Sequence, residues 1–165
     1  MAWTLLLAAG QGNRLASATG GLAKQFLDWK GAPLYWESAL VFSRCARVDG
    51  LVFVFPEACI DEERERGAGL MRNASLGIPW KVVAGGALRQ DSVRNGLAAL
   101  PGDCMEVLIH DAARPFVSPV LVNRILDGLH GEASGECVAA CIPFHRSFHS
   151  LRTETAHGGI QVCAF

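Results

Sequence analysis

Leu5 to Leu15 read LLLAAGQGNRL, an apolar run about the length of one buried strand that breaks at once into small residues, two glycines and an arginine. A strand that ends in glycine marks the first corner of an alternating strand-and-helix chain, and the remaining segments are read outward from it. Gly10 and Gly12 stand one residue apart; lacking a Cβ, they permit φ > 0 and let backbone N–H groups approach an oxyanion. Arg14 adds fixed positive charge and a planar fork of donors. The stretch has the layout of a phosphate cradle, although a tight strand-to-helix connection uses the same glycines.

Further short apolar runs suited to buried strands lie at Leu51 to Phe55, Trp80 to Ala84, Val107 to Ile109 and Cys137 to Ile142. Between them are helix-like stretches at Pro33 to Arg44, Ile60 to Asn73, Leu88 to Leu100 and Pro119 to His130, the last preceded by Ser118 as an N-cap. Such alternation predicts an α/β fold with a mostly parallel sheet, helices on both faces, and a ligand at the carboxyl ends of the strands. The 165 residues suffice for one domain with a real core.

Half the residues are apolar, 19% are charged and the formal net charge is −1, which excludes disorder and a bulk electrostatic nucleic-acid partner. Any anion site must therefore be local. Six cysteines lack the paired spacings of zinc sites and the density of a disulfide scaffold, so reduced thiols are expected. The opening apolar run is too short for a membrane span and lacks a basic leader, so a cytoplasmic protein with no membrane partner is expected. Two histidines, His145 and His149, and two cysteines, Cys137 and Cys141, are each four apart. No flanking ligand supports metal binding at either pair, and the cysteines fit one face of an apolar strand.

Two later segments give the first loop its meaning: GGALRQDSVRNGL at Gly85 to Leu97, and LIHDAARPF at Leu108 to Phe116. In the first, Gly85 and Gly86 turn a strand into a helix that begins with Arg89, Gln90, Asp91 and Ser92. In the second, a strand ends on His110 and Asp111, with Arg114 just beyond, and a carboxylate at such a tip suits a metal or a sugar hydroxyl. Each has a plainer reading: a glycine turn with a helix cap, and an Asp111–Arg114 pair that fixes the turn before Pro115. Lys24, in AKQF, would by itself be read as a solvated lysine, and His110 as a packed or hydrogen-bonded side chain.

In this order and spacing, over residues 3 to 143, the three segments resemble the 2-C-methyl-D-erythritol 4-phosphate cytidylyltransferase family. The resemblance implies a Rossmann-like nucleotidyltransferase fold that transfers CMP from CTP to a polyol phosphate, methylerythritol phosphate, with release of pyrophosphate and with Mg²⁺ or another divalent cation as cofactor. It makes Arg14 and Lys24 the catalytic pair that stabilises the pentavalent phosphate. Ala8, Ala9, Gly10 and Gly12 would supply small residues and backbone donors to the nucleotide. Gly85, Gly86 and Ser92 would read the cytosine, whose N4 amine, O2 and N3 can be matched by backbone groups and one hydroxyl. Asp111 and Ala112 would lie beside the ribose and the metal-bound phosphates, with Asp111 holding Mg²⁺, while Asp111 and Arg114 face the acceptor. The same opening loop also fits relatives that act on ribitol 5-phosphate, other sugar phosphates or a molybdenum cofactor, and the shortened C-terminal part raises the alternative of a nucleotide-binding fragment without turnover.

The chain departs from the family pattern in several places. Ala23 stands where proline usually precedes the lysine, Thr19 to Leu22 lengthen the loop at a small entropic cost, and Ala87 replaces a common aspartate. After Ile142-Pro143 the family continues with an aspartate-threonine pair, a dimerisation arm and a last strand and helix with another lysine. Here Arg146 and Ser147 occupy the place of that pair, in a tail, residues 144 to 165, without clear periodicity. The expectation is a nucleotide-binding domain over residues 1 to 143, a divergent tail, and a C-terminal part lost by frameshift or early termination. The homodimer that the resemblance implies would lack its arm, and the remaining sheet edge would be left open and prone to aggregation.

Overall fold

The opening apolar run forms β1, Ala2–Leu7, with Leu5 and Leu6 both fully buried although they point to opposite faces. That double burial is what a central parallel strand requires. The computed structural model describes residues 1–10, 21–73, 75–129, 140–141 and 161–164, the last two stretches as strand backbone only. After the first loop come β2, Asp28–Trp29, and β3, Ala32–Pro33, a small antiparallel hairpin that the sequence reading did not anticipate. Lys30 (φ 57°) and Gly31 (φ 83°) give it the left-handed corner typical of two-residue hairpin turns.

Helix α1, Leu34–Ser43, starts directly after Pro33 and buries Tyr35, Trp36, Ala39 and Phe42 along one side. β4, Gly50–Phe55, leads to α2, Ile60–Asn73; β5, Trp80–Ala84, leads to α3, Arg89–Ala98; and β6, Glu106–Asp111, leads to α4, Pro119–Leu129. The Ser118 hydroxyl accepts the Leu121 N–H at 3.2 Å, the expected N-cap of α4. The elements agree with the apolar runs to within a residue or two.

Two further strands, β7, Ala140–Cys141, and β8, Gln161–Ala164, complete a six-stranded sheet in the order β5-β4-β1-β6-β8-β7, with every neighbouring pair parallel. Leu6, Phe53, Phe55 and Leu108 face α1, α2 and α4, whereas Leu5, Val52, Val54, Val107 and Ile109 face α3. The sheet is thus covered by helices on both sides. β8 lies in the tail read as lacking periodicity, and Glu106 to Ile109 pair with Gln161 to Ala164. A four-residue strand gives too short a pattern to separate from loop by periodicity. Most of the expected Cys137 to Ile142 strand, His145, His149, Arg146 and Ser147 lie outside the described residues, as do the side chains of Cys137 and Cys141.

Candidate active site at the carboxyl edge of the sheet

Because β1, β4, β5 and β6 run parallel, their carboxyl ends meet at one edge, with Leu7 opposite both Val54 and Asp111, and Phe55 opposite Ala84. Chain order reverses at β1, with β4 and β5 on one side and β6 on the other, which is where open α/β sheets form a ligand crevice. Backbone bonds carry the pairing one residue beyond the strands. Ala8 N–H donates to Val54 O at 2.8 Å, Gly85 N–H to Phe55 O at 2.7 Å, and Ala112 N–H to Leu7 O at 3.0 Å.

The first loop leaves β1 with Ala8 buried, Ala9 half-buried and Gly10 exposed. Gly10 corrects a detail of the sequence reading: positive φ is found at Gly21, Gly31 and Gly77 but not at Gly10. Among the described residues no heavy atom comes within 4 Å of where its Cβ would be, so what glycine leaves there is clearance. Gly12 and Arg14 lie outside the described residues.

The chain returns in a single turn, Lys24–Phe26, whose three side chains go to three places. Phe26 packs its ring 6.2 Å from that of Tyr35 and 6.0 Å from that of Phe55. Gln25 is buried beneath the first loop, with Nε2 donating to Ala8 O and Gly10 O, each at 2.7 Å. Lys24 is exposed and makes no ion pair among the described residues, so its ammonium is available to an anion. Sequence reasoning singled out Lys24 and passed over Gln25 beside it.

The second segment is pressed against the first. A Cβ on Gly85 would stand 2.3 Å from Ala9 Cβ and 2.9 Å from Ser92 Oγ, and one on Gly86 would stand 2.3 Å from Asp91 Cβ. Both glycines are therefore dictated by close approach. The buried Ser92 hydroxyl accepts the Gly86 N–H at 3.1 Å and donates to Leu88 O at 3.3 Å, so it shapes the corner from within. Asp91 accepts the Leu88 N–H at 3.1 Å and caps α3. Gly86 and Ala87 are exposed on the rim.

On the third segment Asp111 is half-buried between two guanidinium groups. Arg89, the first residue of α3, approaches Oδ1 with Nη2 at 3.0 Å and Nε at 3.4 Å, and Arg114 Nε lies 3.7 Å from Oδ2. Arg89 therefore ties the glycine corner to the acidic strand tip. Its role went unread because the register between α3 and β6 is invisible in sequence. Ala112 is fully buried. His110 is buried with Nε2 3.0 Å from Arg114 O; a carbonyl only accepts, so the ring donates and braces the turn. This agrees with a packed, hydrogen-bonded histidine.

The edge thus presents Lys24, Arg89 and Arg114 as exposed cations, the two arginines paired with Asp111, a charge arrangement suited to a polyanion that carries its own metal. Among the described residues no three His, Cys, Asp or Glu side chains gather to hold a metal by themselves.

Comparison with known proteins agrees with this architecture. Solved structures similar in fold include a 4-diphosphocytidyl-2C-methyl-D-erythritol synthase from Anaerococcus prevotii, with a TM-score of 0.62 at 22% identity, covering 79% of this chain and 51% of that one. Among curated proteins, the bifunctional enzyme IspD/IspF of Oleidesulfovibrio alaskensis is 52% identical over 140 residues, which are 85% of this chain and 35% of that protein. That of Nitratidesulfovibrio vulgaris is 56% identical over 133 residues, 81% of this chain and 34% of its own length. A 2-C-methyl-D-erythritol 4-phosphate cytidylyltransferase of Clostridium botulinum is 38% identical over 73% of this chain and 49% of its own. The chain therefore spans about a third of the length of the bifunctional relatives and about half of the single-function one. The model of the family described as IspD, 2-C-methyl-D-erythritol 4-phosphate cytidylyltransferase, matches residues 2–149, and on that match the chain belongs to this family.

Proposed function

We propose that the chain transfers CMP from CTP to 2-C-methyl-D-erythritol 4-phosphate. A phosphate oxygen of the acceptor attacks the α-phosphorus of CTP, a bond forms there, and the bond to the β-phosphate oxygen breaks as pyrophosphate leaves. Catalysis of this kind is mostly positioning and electrostatic stabilisation, because charge builds on oxygens that the protein must hold. The observation that carries the reading is the interlock of the three segments at one edge, with Gly85 admitting Ala9 and Arg89 reaching Asp111.

In this reading Ala8, Ala9, Gly10 and Gly12 line the triphosphate, and Arg14 and Lys24 neutralise charge at the reacting phosphorus. Gly85, Gly86 and Ser92 form the base corner, Ser92 by shaping it and the glycines by leaving room. Asp111 and Ala112 lie along the ribose, and Arg114 faces the acceptor phosphate. The half-buried Asp111 carboxylate fits Mg²⁺ of the kind that takes its other ligands from substrate phosphates and water. Asp111 would hold that cation, which would offset negative charge on the triphosphate. The proposal includes a cytoplasmic setting in which the cysteines stay reduced.

The test is pyrophosphate release by the purified chain with CTP, Mg²⁺ and methylerythritol phosphate, beside ribitol 5-phosphate and a no-acceptor control. Turnover that requires methylerythritol phosphate, and that falls by orders of magnitude in Arg14→Ala and Lys24→Ala while the melting temperature holds, is expected. Near-normal activity in either variant would remove that residue from the catalytic pair.

A further inference from the structure

Gln25 is an uncharged side chain, buried to 4% exposure at the edge where the nucleotide is proposed to bind, and both hydrogen bonds of its amide nitrogen run to one short stretch of backbone. Nε2 has two protons, and here each meets a carbonyl: Ala8 O and Gly10 O, both at 2.7 Å. Consecutive carbonyls along an extended chain alternate in direction, and carbonyls two residues apart converge on one donor only if the backbone curls around it. The amide of Gln25 is the post for that curl.

The curl decides where the intervening N–H groups go. Peptide units are planar and trans, so the N–H of Ala9 points opposite to the Ala8 carbonyl, away from Gln25. Neither Ala9 N–H nor Gly10 N–H has a partner among the described residues, whereas Ala8 N–H is held by Val54 O. Ala9 is pinned on another side by its methyl group against Gly85, and Gly10 has open space where a Cβ would stand. An unused donor at Ala9, fixed in direction by the bond between Gln25 and the Ala8 carbonyl and set beside a glycine that leaves clearance, is what an oxyanion requires.

We propose that Gln25 is a positioning residue that holds the chain after β1 in its anion-receiving form, drawing the Ala8 and Gly10 carbonyls inward so that the Ala9 N–H group faces the phosphates. The proposal rests on the reading of this edge as a triphosphate site and deepens it. It also explains the division of labour in the Lys24–Phe26 turn: Phe26 anchors the turn in the aromatic core, Gln25 shapes the loop, and Lys24 supplies charge beside it.

The experiment compares wild type, Gln25→Ala and Gln25→Glu for binding of inorganic triphosphate by calorimetry between pH 5 and pH 8, with circular dichroism to confirm folding. Gln25→Ala is expected to bind at least tenfold more weakly. Gln25→Glu is isosteric; ionised, it sets a carboxylate against two carbonyls, and protonated, it regains one donor. Its deficit relative to wild type at the same pH is therefore expected to shrink as pH falls, which a merely structural role would not produce. If Gln25→Ala does not fold, the pH profile of Gln25→Glu carries the test. Folded variants that bind triphosphate as wild type does, or a wild type that does not bind it at all, overturn the proposal. A parallel series of CTP, UTP and GTP separates the two readings: binding without preference for CTP would overturn the cytidylyl reading and leave the role of Gln25 standing.

Discussion

The close contact between Ala9 and Gly85 makes a substitution pair with opposite expected effects. Gly85→Ala would force two methyl groups to within 2.3 Å, so the two loops must separate, and CTP binding should weaken at least tenfold as measured by calorimetry. Ala9→Gly in the same chain removes the opposing methyl and should restore much of the loss; a double variant as weak as the single would show that the contact is not the cause. Arg89→Ala should behave differently. Both partners of its pair with Asp111 are partly exposed, and such pairs contribute about 1 kcal/mol or less. The melting temperature should barely move. Gly85, Gly86 and Asp111 could be picked out in the sequence because glycine and charge at a strand end carry local meaning, whereas Lys24 was singled out only through the family resemblance. Gln25 was not: what a buried amide does is settled by which carbonyls reach it, and those lie 15 and 17 residues away.

At the scale of elements, α1 and α2 are joined by a buried pair, the Tyr35 hydroxyl donating to Glu63 Oε2 at 2.6 Å, with Arg66 Nη1 3.0 Å from Oε1. Burial raises the Tyr35 hydroxyl far above its ordinary value, with Glu63 adding to the shift, and burial also raises the Glu63 carboxyl against the opposing pull of Tyr35 and Arg66. Both groups hold their protons more tightly folded than unfolded. For Glu63 the stabilisation is complete below the unfolded value of 4.5 and is lost as pH rises through the higher folded value; for Tyr35 the loss begins above pH 10. Glu63→Gln keeps an acceptor for Tyr35 and should flatten the acid part of the stability profile. Tyr35→Phe should cost about 1 to 3 kcal/mol in denaturant unfolding, because it strips a buried carboxylate of a donor. Each helix could be placed from its apolar spacing, yet this link between two of them joins positions 28 apart and has no local signature.

For the whole molecule, the sheet order is the main addition to what the sequence offered. Parallel strands and two-sided helix cover followed from the alternation of apolar runs, while the insertion of β8 between β6 and β7 did not. Its consequence is testable by hydrogen exchange: amides on the β6 edge that faces β8 should be protected, and rapid exchange there would show an open edge. The same order bears on how the chain is made. β1, β4, β5 and β6 are all present once residue 111 has been synthesised, and with α4 the carboxyl edge of these four strands and the helices on both sides of them are present by residue 129. β6 must then wait for partners that stand 55 positions later in the chain (Glu106 to Gln161), and β7, though made before β8, joins the sheet through it. During translation the carboxyl edge of these strands can therefore form early, while one flank of β6 stays unpaired until β8 emerges, a window in which a nascent chain is most exposed to mispairing with its neighbours.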